Sequence, residues 1–455
     1  MNSDLWRSID EFDLDLPLSE YSFSIRLAHE NAWPACFTAK AIQEYKKFMY
    51  LAATANGMVS PSEIVDVVWH QHLIFTQSYD NFCKILGRKI EHIPSTHRNT
   101  EKHLFTEARE RTAQLYLETF GDMPADIWQY TSIYDSLNMP KSRFSSNEEF
   151  MFAFLLTGIL TVPAYYLLKP LYMHIHGLQF LWYYIPIFAI SMAGLWLYNE
   201  LQFKKLPELW RKDSFVMNLS PFELLYIKNK EIRPAIHACV NLMLEENKIM
   251  PKGEYILANA PGAKPNNAAQ MAIADVLDAN TETSYYDLFK AVMDKPVFTN
   301  TATFYKQLQI YMSESQFVSN VCRVNYVVIS TLTVLCTTRL ITGIENNKPV
   351  GFLIVTMLVS CIAFFVAINH LFTLHTKSLQ NYYEEEVIPT HPEAQGFSWQ
   401  FYLLGYAVFN SSFVTMYHNV EQQYRSVTAD SGSSDSGGSC GGGGGCGGGC
   451  GGCGG

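Results

Sequence analysis

The residues with the most chemistry in this chain lie in "VDVVWHQHLIFTQSY", from Val65 to Tyr79, where His70 and His72 follow Trp69. A His-x-His pair presents both rings to one metal ion on a strand, where residues two apart share a face. On a helix two residues turn about 200°, which leaves the imidazoles about 160° apart. The surrounding pattern is helical: Val65, Val68, Trp69, His72, Thr76, Tyr79, Phe82 and Leu86 recur at three- and four-residue steps. His72 belongs to that apolar face. His70 lies on the other side, with Asp66 one turn before it.

Three roles stay open for these groups. Both histidines are hydrogen-bonded structural groups, or they hold a ligand or metal, or Asp66 orients His70 as a general base. A metal site would need His70 or His72 separately, joined from beyond the next turn by His92, His97 or Cys83, with His92 the first candidate. Zinc or another soft metal suits such ligands. A second set of donors sits at the other end of the chain. Cys440, Cys446, Cys450 and Cys453 punctuate a glycine-rich tail, residues 427–455, that has no apolar surface to bury and is expected to be disordered. These tail thiols offer zinc or Cu(I) ligands without a preformed cage.

The elements that must position these groups are mostly helices. In "SPSE", Ser60 is the expected N-cap, with Pro61 at the first helical position and Glu63 reaching back. Gly87 is the expected stop. Ser220, Pro221 and Glu223 repeat the same signature. After two short helices, "GEYILANA" reads as a strand. This helix–helix–strand order makes the central region winged-helix-like. A nucleic-acid role is not expected, because the formal net charge is −10 and no basic cluster is present.

Four long apolar runs divide the chain. "FMFAFLLTGILTVPAYYLL" is uncharged between Glu149 and Lys169, and residues 180–199 form a second run. Residues 325–344 and 349–372 form two more, the third containing Arg339 near its end, where a long cation can snorkel. Each is long enough to cross the hydrocarbon core of about 30 Å. They pair into two hairpins, 150–199 and 325–372. Lys169, Lys348 and Arg339 lie near the short connections. Lys141, Arg143, Lys204, Lys205, Arg211, Lys212, Arg323 and Lys377 lie on the opposite flanks, which puts the large parts inside. Residues 397–417 are also uncharged, but Gln400, Asn410, Ser411 and Ser412 suit an amphipathic or strand-like soluble segment.

The expected fold class is mainly α. A helical cytoplasmic domain spans 1–145 and a cytoplasmic helix-rich insert spans 201–322 between the hairpins. A soluble segment follows at 375–426, then the tail. The six dispersed cysteines have no framework spacing, and a reducing compartment suits them. The N-terminus lacks the apolar run of a secretory signal.

The combination Asp66-x-x-Trp69-His70-x-His72, Thr76, Tyr79, the run from Gly87 to Pro94 and the closing Phe120-Gly121…Trp128 resembles the glycine-rich domain-containing protein family of plants and bacteria, over about residues 26–128. The whole layout resembles bacterial multi-span membrane proteins with a cytoplasmic insert and a glycine- and cysteine-rich end. Neither resemblance implies a reaction. The expected protein is a non-enzymatic scaffold or sensor in the bacterial inner membrane. Its partners would be the lipid bilayer and proteins met by the cytoplasmic domains. The alternative is a membrane-anchored, metal-dependent enzyme using Asp66, His70 and His72. Transport is disfavoured, since the apolar runs contain no acidic residue.

Overall fold

A computed structural model describes residues 2–19, 21–93, 99–258, 264–277 and 283–431. His97 and the tail cysteines Cys440, Cys446, Cys450 and Cys453 lie outside the described residues. The described chain is mainly helical, as its periodicity requires.

The N-terminal region holds α1 (Ser3–Asp10), α2 (Phe23–Asn31), α3 (Ala35–Thr54), α4 (Glu63–Ile74), α5 (Thr76–Leu86), α6 (Asn99–Phe120) and α7 (Ala125–Trp128). Tyr45 and Phe48 of α3 meet Val65, Val68 and Trp69 of α4 and Phe82 of α5 in a buried core. Two expectations need correction. Ser60 does not cap α4. Its N–H donates to Thr112 Oγ1 at 2.9 Å, and its carbonyl lies 3.1 Å from the same hydroxyl. Ser60 is therefore committed to α6, and the cap passes to Ser62, whose Oγ accepts from Val65 N at 3.2 Å. Nor is there one helix to Leu86: the chain breaks at Phe75, with φ −86° and ψ 63°. The apolar face survives the break, because His72, Tyr79, Phe82 and Leu86 are all buried. Gly87 ends α5 in the left-handed region at φ 74°, as expected.

The long helices are α8 (Ser146–His174) and α9 (Gly177–Lys204), followed by the short α10 (Leu206–Leu209). The insert then contributes α11 (Pro221–Asn229), α12 (Arg233–Glu245), β1 (Ile249–Lys252), β2 (Tyr255–Ala258), α13 (Ala268–Ala274), β3 (Thr283–Ser284), α14 (Tyr285–Met293) and α15 (Pro296–Ser313). Ser220 and Glu223 cap α11 reciprocally, as expected. β1 and β2 form a hairpin, and β3 pairs antiparallel with β2, giving the order β1-β2-β3. The chain returns through α16 (Gln316–Glu345) and α17 (Gly351–Tyr382) and ends in α18 (Phe397–Leu404) and α19 (Ser411–Ser431).

Among the described residues, α8, α9, α16 and α17 are the four helices long and apolar enough to cross a membrane. Their outward residues are apolar and open, as at Phe152 (69% exposed), Leu167 (79%) and Phe352 (73%). The sequence pairs α8 with α9, but the longest seam runs between α8 and α16, across the two hairpins. Polar contacts mark that seam: Thr157 Oγ1 to Ser330 Oγ at 2.7 Å, and Arg323 Nη2 to Glu149 Oε1 at 2.7 Å. Arg339 also departs from expectation. It is 2% exposed instead of reaching outward. Its Nη2 donates to the Ile175 carbonyl at 3.1 Å, beside the rings of Tyr172 and Phe180. A cation at the carbonyl end of α8 complements the helix dipole there.

Residues 397–417 form no fifth long helix, and no strand either. Gly405, at φ 59°, ends α18, and Asn410 precedes α19. Phe401, Phe409, Phe413 and Tyr417 bury against the insert.

One carboxylate ties the N-terminal region to the insert. Glu223 Oε1 accepts from Ala35 N at 2.8 Å, and its Oε2 accepts from Ser220 N at 2.7 Å. It thus serves the first turns of both α3 and α11. Burial pushes its pKa upward, against the lowering effect of these donors. Glu223→Ala leaves buried N–H groups unpaired at both helices, a loss of about 3 kcal/mol. In the full-length protein in detergent, the variant should melt several degrees lower and be cut faster near Ala35 by a probing protease.

Candidate functional site

α4 carries Asp66 and His70 on one face because they are four residues apart. The third member arrives from beyond α5. Gly87 turns the chain back, Ile90 is buried, and its carbonyl accepts from the Tyr79 hydroxyl. Two residues later His92 lands on Asp66. Its Nε2 lies 2.9 Å from Asp66 Oδ1. His70 Nδ1 lies 3.3 Å from Asp66 Oδ2 and 2.9 Å from the Asp66 carbonyl oxygen. The two imidazoles meet edge to face, with centroids 4.3 Å apart, and Trp69 packs on His92 at 4.7 Å. Trp69 is itself held by its Nε1 bond to the Tyr79 hydroxyl at 3.1 Å.

The three donor atoms all lie within 4.8 Å of one another. Two ligands of one ion, each at about 2.1 Å and about 90–110° apart, would stand about 3.0–3.4 Å from each other. The Asp66–His92 and Asp66–His70 spacings fall at or near that range. Side-chain exposure falls from 56% at His70 through 36% at Asp66 to 16% at His92, so the cluster is reachable from solvent yet anchored on one side.

The cluster borders a cavity of about 1000 Å³. Phe48, Trp69 and Ile90 give it an apolar side, while Glu63, Arg88, Lys89 and Arg109 add charge. Arg88 was within reach of the sequence, since it belongs to the Gly87–Pro94 run. Arg109 carried no local signal, because only the packing of α6 brings it there.

His72 goes elsewhere. It is 0% exposed, with Nδ1 2.8 Å from the Tyr45 hydroxyl and Nε2 3.1 Å from Ser78 Oγ. Burial lowers its pKa to about 4. One ring nitrogen donates and the other accepts, so the neutral ring is satisfied in place. His72 is a structural histidine. Cys83 is buried too, among Tyr45 and Tyr79 in the core, and does not join the cluster.

A second histidine network had no signal in the sequence. His237 is 1% exposed; its Nδ1 lies 2.5 Å from the Tyr285 hydroxyl and its Nε2 3.1 Å from Glu421 Oε1. Arg233 Nη1 donates to Glu421 Oε2 at 2.6 Å. This network joins α12, α14 and α19, with His237 and Tyr285 sealed from solvent and Arg233 and Glu421 at its partly exposed edge, which suits it to holding the C-terminal helix in place.

By its fold the chain is a candidate multi-pass membrane protein, with a helical N-terminal region that carries a two-histidine, one-carboxylate cluster. A family profile described as UCP032817-like matches residues 22–110, which include α2 to α5 and the whole cluster. No curated protein and no solved structure matches the chain.

Proposed function

We propose that this protein is a membrane-anchored scaffold or sensor whose N-terminal domain, residues 1–145, binds a divalent transition-metal ion through Asp66, His70 and His92. The observation that carries this reading is the convergence of three ligand-type atoms from two separate segments at the edge of a cavity. Mixed imidazole and carboxylate donors suit zinc and its neighbours, and three protein ligands leave positions open toward the cavity. The test is elemental analysis of the purified full-length protein, with Cys440, Cys446, Cys450 and Cys453 changed to Ser, after exposure to zinc and washing. The reading expects roughly one equivalent per chain, and less than about a tenth would sink it.

One observation favours a second reading, an enzyme. Asp66 holds His92 at 2.9 Å in an accessible cleft, an arrangement that serves either general-base chemistry or an open metal site. Zinc-loaded protein that hydrolyses activated carboxylate or phosphate esters, with turnover lost in Asp66→Asn, would select it.

The bilayer partner follows from the four long helices. Cytoplasmic placement of the N-terminal domain, the insert (201–322), the segment 375–426 and the tail in a bacterial inner membrane rests on the positive-inside balance of the flanks. Under this topology the tail cysteines stay unlabelled when intact cells meet a membrane-impermeant maleimide and become labelled after permeabilisation. Labelling in intact cells would reverse the orientation. The tail would supply soft-metal thiolates on the same side as the histidine cluster.

A further inference from the structure

The cavity of about 1000 Å³ beside the Asp66, His70 and His92 cluster is far larger than a metal ion and its waters need. Its charged groups come from three segments. Glu63 and Asp66 lie on α4, Arg88, Lys89 and Glu91 follow the Gly87 turn, and Arg109 reaches the cavity from α6. Arg111, also on α6, donates to the carbonyl of Met58 at 2.6 Å, and Met58 lines the cavity, so a further cation stands near the rim.

Among the described residues, the lining thus holds three cations and three carboxylates, which cancel. Asp66 is committed to the two histidines. Arg88, Lys89 and Arg109 are exposed, and their side chains form no ion pair or hydrogen bond among the described residues. Glu63 and Glu91 are exposed as well and form no ion pair there. A divalent ion on Asp66, His70 and His92 changes the balance. With neutral imidazoles it leaves the lining two charges positive, and three protein ligands leave positions open toward the cavity.

We propose that the metal-loaded cavity takes a phosphate-type dianion, bound by the ion together with Arg88 and Arg109. This deepens the metal reading of the cluster and rests on it. Charge and shape select the class. A monocarboxylate brings one charge and two oxygens, too few to balance the lining and to reach both the ion and the guanidinium groups. A dicarboxylate divides its two charges between separate carbons. A phosphoryl group holds two charges and three oxygens at one centre, and guanidinium forks match those oxygens. Free phosphate and a phosphate monoester share this chemistry. The apolar side at Phe48, Trp69 and Ile90 gives an ester's organic group a surface to lie on.

The test uses full-length protein in detergent with its four tail cysteines changed to Ser, loaded with zinc and washed free of unbound metal, in phosphate-free buffer. Phenylphosphonate, a dianion at about pH 8, is titrated calorimetrically, and zinc content is measured on every sample. It should bind at about one equivalent, at least about tenfold tighter than succinate or than benzenesulfonate, which has the same shape and one charge less. Zinc-free protein should bind it at least about tenfold more weakly, and by linkage the phosphonate should tighten zinc binding by the same factor. Arg88→Gln combined with Arg109→Gln should weaken it at least about tenfold in zinc-loaded protein. Inorganic phosphate separates the two sources: affinity equal to or above that of phenylphosphonate assigns free phosphate, and lower affinity assigns a monoester. Less than about a tenth of an equivalent of zinc removes the metal reading and this proposal with it. Zinc held at one equivalent overturns this proposal alone if phenylphosphonate does not bind, binds no better than benzenesulfonate or succinate, binds zinc-free protein equally well, or is unaffected by the arginine substitutions.

Discussion

His92→Ala should weaken zinc binding by at least about 100-fold, read by isothermal titration in detergent of the full-length protein with its four tail cysteines changed to Ser. The size of the effect comes from preorganisation. His92 is the least exposed of the three donors, its ring is fixed against Trp69, and Ile90 anchors the backbone two residues before it. Nothing in α4 can replace a ligand that comes from a different segment. Asp66→Asn should produce a loss of similar size, because Asp66 supplies the negative charge and touches both imidazoles. His70→Ala should cost less, since His70 is 56% exposed and water can take its place. Far-ultraviolet circular dichroism should be unchanged in all three. Wild-type affinity in His92→Ala, with the fold intact, would remove the cluster as the binding site.

The second large effect concerns His72 and acid. Its folded pKa of about 4 lies below the ordinary value of 6.5 because burial excludes the charged ring. The folded state therefore needs neutral His72. The stability it contributes is fully present above pH 6.5 and is lost as pH falls toward 4. A gap of about 2.5 pH units corresponds to about 3 kcal/mol. Amide exchange of peptides from α3 and α4 in the full-length protein should accelerate steeply between pH 7 and pH 4.5, after correction for intrinsic rates. His72→Gln should be less stable at pH 7, since Tyr45 and Ser78 lose a matched partner. Its pH dependence should be shallower. A variant with the same slope as the wild type would show that other groups carry the acid sensitivity.

The two histidines of one tripeptide thus face opposite tests, and the reason was partly readable in advance. Helical rotation alone puts His70 and His72 on different sides of α4, and the structure keeps them so. Asp66 with His70 follows from the same arithmetic. His92 was a candidate by residue type and by its place in the Gly87–Pro94 run, not by any spacing that brings it to Asp66. Its arrival depends on the break at Phe75, the turn at Gly87 and the burial of Ile90. Gly87 was legible because a stop after an apolar face has a local signature. The break at Phe75 was not, because the apolar residues keep nearly the same face on both sides of it. Ser60 misled for a different reason: its sequence context fits a cap, but Thr112, 52 residues away, already engages its backbone.

Short-range physics accounts for what the sequence determined by itself: the four long apolar helices, the Ser220–Glu223 cap, the separation of His70 from His72, and the mainly helical class. Each depends on residues within a few turns of one another. Tertiary structure decided which of these elements meet. It placed α8 against α16 instead of α9, buried Arg339 at the end of α8, joined α3 to α11 through Glu223, and closed Asp66, His70 and His92 into one cluster. Such contacts are set by shape, by buried polar groups finding partners, and by turns whose direction leaves little trace in periodicity.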